Sequence, residues 1–181
     1  MRRYQHETIK TTNITHGSNS GTANLVLADD GAVTLAKGLN TPMFLAGPAV
    51  GFTNGSSGTY KHIDFTEIYD PQGTYDASTS RFTPGVAGYY QFNASVKMSD
   101  PTGNDVYNFY LQVGKNGSGV SGSEEMIDNS DGDVHQMSIS GIIYLDADDY
   151  LTVFAMAGLY NAANWKCFDT TGQFSAFKLS L

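Results

Sequence analysis

Four histidines, one cysteine and several clustered carboxylates are the side chains of this sequence best suited to chemistry. His6, His16, His62 and His135 lie far apart, and no His-x-x-x-His or His/Cys spacing brings two of them toward one zinc ion. They read as surface or turn residues. Cys167 is the single cysteine, which excludes an intrachain disulfide and a multi-cysteine metal site. Flanked by Trp165 and Phe168, it reads as a buried small hydrophobe rather than a nucleophile.

The carboxylates are more suggestive. Asp128-Asn129-Ser130-Asp131-Gly132-Asp133 has the oxygen density of a calcium loop. Glycine falls at the fifth position, however, and no Glu closes the loop at the twelfth, so the helix-loop-helix pattern fails. A solvated acidic loop is expected, with a low-affinity calcium site as the alternative; no other cofactor is expected. Asp70 and Asp76 resemble an acid/base pair in type, but both stand in turn-forming sequence. Asp146, Asp148 and Asp149 read as turn residues between two strands. No Gly-x-Ser-x-Gly elbow and no phosphate-cradling glycine loop occurs. A binding or structural protein is expected, not an enzyme.

Charge narrows the partners. Ten Lys and Arg face 18 Asp and Glu, a net charge of −8, whereas phosphate binding needs a surplus of cations. Nucleic acid is therefore not expected. No window approaches the ~18 apolar residues of a membrane span, so no membrane insertion is expected. Met1-Arg2-Arg3-Tyr4-Gln5-His6-Glu7 is not followed by the ~7–15 apolar residues of a signal peptide, from which synthesis in a cytoplasm is expected.

The elements that would position these residues are strands. Charged residues make up only 15%, against ~25% in ordinary globular proteins, and glycine and small polar residues fill the difference. In residues 1–40, Leu25 and Leu27 alternate on one side of Asp30-Gly31, and Val33 and Leu35 on the other. Asp-Gly between alternating runs signals a β-hairpin. Such a hairpin buries little alone and must pack on something else. Residues 41–181 read as one all-β domain. Tyr90, Phe92, Ala94, Val96 and Met98 alternate with Gln91, Asn93, Ser95 and Lys97. Tyr107, Phe109, Leu111 and Val113 repeat the pattern, as do Met137, Ile139, Gly141, Ile143 and Leu145. The run from Tyr150 to Ala157 leans apolar on both faces, and Phe174 to Leu181 ends the chain on an alternating strand. No segment of helical period reaches helix length.

The stretch containing Asp70, Tyr75, Phe82, Gly88, Tyr90 and Phe92 resembles the signature of the globular head of complement component one q. Two positions depart from it: the upstream aromatic falls one residue off, at Phe65, because the position the spacing calls for holds Asp64, and Ala94 replaces the final aromatic. Phe174-Ser175-Ala176-Phe177 is similar to that family's closing strand, with Ala176 for glycine, and Gly141 to Leu145 leading into Asp148-Asp149-Tyr150-Leu151 is similar to its paired strands. Over residues 42–181 the resemblance implies a jelly-roll sandwich of about ten strands, like that of the tumour-necrosis-factor ligands, and a homotrimer. Residues 20–35 resemble β-structured segments of bacteriophage fibre and virion proteins. Together these imply a non-enzymatic trimeric protein on a virion surface, made in the host cytoplasm. Residues 1–40 would attach it to a capsid, portal or tail protein. The head would bind a host-surface glycan or protein, or decorate the capsid without a receptor. A secreted complement-head-like ligand is the further alternative.

Two sets of residues follow as expectations. Strands bearing Tyr90, Phe92, Phe154, Met156, Phe177 and Leu179 are expected in one sheet, at the three-fold interface or the core behind it. Loops are expected at Asn54 to Gly58, Ser99 to Asp105, Asn116 to Asp133 and Tyr160 to Trp165. In the last, Tyr160, Asn161, Asn164 and Trp165 combine aromatic faces with amide donors, a chemistry suited to a sugar ring. A buried Trp165 is the competing reading.

Overall fold

A computed structural model describes strand residues 13–14, 25–27 and 33–35 of the N-terminal segment and residues 41–100, 106–128 and 134–179 beyond it. The chain divides into two compact units, Met1–Thr41 and Pro42–Leu181. In the first, β1 (Asn13–Ile14), β2 (Leu25–Leu27) and β3 (Val33–Leu35) form an antiparallel sheet in that order. Leu25 stands opposite Leu35 and Leu27 opposite Val33, the pairing that the Asp30-Gly31 signal predicts. The added strand, β1, places Ile14 opposite Leu25. Two residues carry no periodicity to announce such a strand.

Among the described residues the second unit holds 13 strands: β4 (Met43–Ala49), β5 (Phe52–Ser56), β6 (Lys61–Ile63), β7 (Phe65–Tyr69), β8 (Tyr75–Asp76), β9 (Arg81–Phe82), β10 (Gly88–Ser99), β11 (Val106–Lys115), β12 (Ser118–Asp128), β13 (Val134–Leu145), β14 (Leu151–Leu159), β15 (Asn164–Cys167) and β16 (Gln173–Lys178). A seven-stranded sheet runs β5-β15-β10-β16-β4-β7, with β13 on the other edge of β10. A six-stranded sheet runs β12-β11-β14-β9-β8, with β6 also on β14. All pairings are antiparallel, and no helix occurs among the described residues. This is the expected jelly-roll sandwich, with 13 strands in place of about ten. The surplus is short: β6, β8, β9 and β15 have two to four residues each, below the length at which alternation shows.

Period-two patterning builds the core. Tyr90, Phe92, Ala94, Val96 and Met98 all point inward and are buried. Phe109, Leu111 and Val113 oppose them from β11, but Tyr107 does not join. The ladder between β11 and β14 slips between Val106 and Asn108, and this bulge turns Tyr107 outward while Val106 becomes the buried residue. The apolar-leaning β14 is covered on both faces, as its composition predicts: every residue is buried except the half-buried Phe154 and Met156.

The two sheets are fastened by aromatic rings. Phe44 of β4 stacks on Tyr75 and on Phe82, each at 4.7 Å, and meets the edge of Phe174 at 4.8 Å. Phe65 lies 5.8 Å from Phe174, and Phe82 lies 5.6 Å from Tyr90. Stacked and edge-on pairs at these separations add about 0.5–1.5 kcal/mol each beyond area burial.

Two expected loops are strands instead. Residues 54–56 belong to β5 and residues 118–128 to β12. Glycine and serine there have turn composition. Gly55 is present because the Trp165 ring lies on its backbone, leaving no room for a Cβ. At Gly119 only the movable amide end of Gln112 lies over the backbone. The expected loop residues 101–105 and 129–133, with most of the calcium-like sequence, lie outside the described residues.

Candidate binding surfaces

The chemically suggestive groups are used locally. The Asp70 carboxylate accepts the Thr74 hydroxyl at 2.9 Å and the Tyr75 N–H at 2.7 Å. Asp76 accepts the Ser78 N–H and hydroxyl and the Thr79 hydroxyl, and these bonds hold its carboxyl below the usual range. Asp70 stands before a turn and Asp76 ends β8, the turn and strand-end places that the sequence indicates. Asp149 accepts Lys115 Nζ, the Asn116 amide at 2.6 Å and the Asp146 N–H. Its carboxyl is pulled down to about 2, chiefly by Lys115. That clasp joins the β11–β12 turn to the β13–β14 turn. Cys167 is buried, and burial pushes its thiol up to about 11. Such a thiol is protonated at neutral pH and is a poor nucleophile.

The expected interface residues do not share one sheet. Tyr90 and Phe92 are core, and the Tyr90 hydroxyl donates to Val86 O at 2.6 Å. Phe154 and Met156 stand on the outward face of the six-stranded sheet. Phe177 is on the outward face of the seven-stranded sheet, opposite Gln91, and Leu179 follows half-buried. The strand pattern gives each side chain its face but not which sheet its strand enters, and β14 enters the other one.

The expected contact loop is also divided. Tyr160 is 65% exposed, and Asn161 and Asn164 are exposed. Tyr107, which the sequence pattern placed in the core, lies 5.1 Å from Tyr160 as its ring neighbour. Trp165 leaves the patch. It is fully buried, donates Nε1–H to Ser56 O at 3.1 Å and meets Phe52 edge-on at 4.9 Å. A ring over the Gly55 backbone with its N–H satisfied has no reason to face solvent.

The two outward sheet faces differ. On the six-stranded sheet, Tyr60 lies against Tyr110 at 6.3 Å and its hydroxyl donates to Glu124. His62 meets the edge of Phe154 at 5.6 Å. On the seven-stranded sheet the residues sort by position. At one end Tyr89 is paired with Tyr144, Gln91 stands between Ile142 and Phe177, and Phe177 is paired with Met43. The five apolar residues among them are between 36% and 61% exposed. At the other end Asn93 stands between Ser140 and Ser175, and Ser95 between Ser138 and Gln173. Sequence reasoning saw the wetter face of β10 but not this partition, which needs the register of four strands.

No protein-family profile matches the chain, and no curated protein matches it. Solved structures do. Murine APRIL at pH 5.0 superposes with a TM-score of 0.57 at 11% identity, covering 77% of this chain and 99% of that one. Murine APRIL at pH 8.0 gives 0.54 at 15% identity, again over 77% and 99%. The globular domain of a zebrafish complement 1qA protein gives 0.53 at 14% identity, over 77% and 96%. This chain therefore carries the jelly-roll fold shared by tumour-necrosis-factor-like and complement-head domains.

Proposed function

We propose that the protein is a non-enzymatic homotrimeric display head on a bacteriophage virion. Residues 42–181 form the exposed domain, and residues 1–40 join it to a capsid, portal or tail protein. One observation carries the self-association: Met43, Tyr89, Ile142, Tyr144 and Phe177 gather exposed at one end of the seven-stranded sheet. A contiguous apolar patch on a sheet face marks an interaction site, and a closed ring of three copies hides it without leaving free ends. The jelly-roll likeness supports the same reading. The acidic balance and the N-terminal likeness to virion segments support placement on a particle surface, and Tyr160, Asn161 and Asn164 are the loop offered to a host surface.

Sedimentation at micromolar concentration tests the trimer. The expected mass is three times the 19.5 kDa of one chain. Ile142→Asp with Phe177→Asp returns a single-chain species, because six carboxylates cannot be buried at one three-fold contact. A native protein that sediments as one chain overturns the reading, as does a double variant that stays trimeric.

A further inference from the structure

The polar end of the same sheet face forms a cleft that the trimer does not explain. Two adjoining hollows of ≈390 Å³ and ≈280 Å³ share Ser95 and Gln173 in their walls. Their floor is the pair of rows Ser140–Asn93–Ser175 and Ser138–Ser95–Gln173, spanning β13, β10 and β16. Among the described residues, no charged side chain lines either hollow. Lys97, one row farther along, is turned away onto the Phe168 ring at 4.9 Å, and Glu125 is occupied by the Ser138 N–H at 2.8 Å on the strand edge.

The wall is built by backbone. Gly172 has φ +95°, and a Cβ there would stand 2.7 Å from Ser95 O. A Cβ on Gly47 would stand 2.8 Å from Gly172 O. Only glycines let the 170–172 loop close this tightly on β4 and β10. Beside them the Thr171 hydroxyl is buried in the cleft wall without a hydrogen-bond partner among the described residues. Ser95 accepts the Gln173 N–H at 3.1 Å and retains its own proton to donate outward.

We infer that this cleft binds a neutral saccharide. Serine, asparagine and glutamine side chains each donate and accept, which matches a sugar hydroxyl that also does both. An anion would find no cation there, a cation no carboxylate, and an apolar chain too few apolar partners. Covering these rows with protein would bury many hydroxyl and amide groups, each needing a placed partner. A polyhydroxylated ligand supplies such partners with an adaptable shell of water.

The test uses the full chain on immobilised neutral hexose and N-acetylhexosamine oligosaccharides, with sialylated, sulfated and phosphorylated counterparts. Neutral sugars are expected to bind and charged counterparts to bind at least tenfold more weakly. Asn93→Ala with Ser140→Ala is expected to weaken binding at least tenfold with sedimentation unchanged, while Tyr60→Phe on the other sheet leaves it intact. No neutral sugar bound by the folded protein overturns the proposal, as does binding that falls with the Tyr60 variant or ignores the cleft variant. A cleft variant that changes oligomeric mass also overturns it, by assigning these rows to self-association. A monomeric native protein defeats the trimer reading alone, because sugar binding is read independently of mass.

Discussion

The outward faces of the two sheets carry similar residue types and treat them differently. On the six-stranded sheet the aromatic groups are tied to neighbours: Tyr60, 39% exposed, lies against Tyr110 with its hydroxyl fixed to Glu124, and Phe154 is edged by His62. On the seven-stranded sheet, Tyr89 and Tyr144 pair at 5.4 Å, but Ile142 is 61% exposed and Phe177 43% exposed beside them. One face ties its aromatic rings to neighbours and leaves Met126 exposed singly; the other gathers five exposed apolar side chains at one end. Composition alone does not distinguish the two; the gathering of exposed side chains does.

The comparison can be broken most severely from behind. Phe44→Ala removes the ring that holds both sheets together, and should destabilise the fold by about 3–5 kcal/mol, as large-to-small changes at buried aromatics do. Urea unfolding would show it, with both faces lost in one transition; separate transitions would mean the sheets are held independently. A smaller effect sharpens the contrast on one side. Tyr60→Phe keeps the ring but releases Glu124, and should cost about 0.5–1 kcal/mol, the value of a partly solvated bond to a charged acceptor. Oligomeric mass should not move, because the exposed apolar cluster lies on the other sheet.

The Asp149 clasp gives a pH-dependent effect, readable as a shift in the urea midpoint. Its carboxyl sits at about 2 in the fold, against an ordinary 3.8. A lowered folded value stabilises above the unfolded value, so the contribution is complete above about pH 4 and disappears as pH falls through about 2. Asp149→Asn should lower the midpoint at neutral pH and make the decline between pH 4 and pH 2 shallower. An unchanged acid limb would mean that the clasp is not the group titrating there.

The sandwich was legible wherever strands were long. β10 shows its face assignment over 12 residues, and β14 shows its double coverage by composition. Legibility failed where a single local event redirected a side chain. The bulge before Asn108 turned Tyr107 out of the core, and the glycine at 55 drew Trp165 in. Glycine in both β5 and β12 resembles turn sequence, and at Gly55 it makes room for the Trp165 ring. The division of an outward face into apolar and polar ends arises from the register among β13, β10, β16 and β4, strands far apart in sequence, which period-two reasoning cannot supply.

Strand β15 has a practical consequence of its own. Its four residues hold the only tryptophan and the only cysteine of the chain, both buried and separated by one residue. Emission from Trp165 therefore reports how tightly one short strand is held between β10 and β5, without a label. A thiol reagent reaching Cys167 times the opening of that same strand. Light and chemistry thus interrogate one spot in the native chain, and any lag between them measures how far β15 detaches before the sandwich as a whole comes apart.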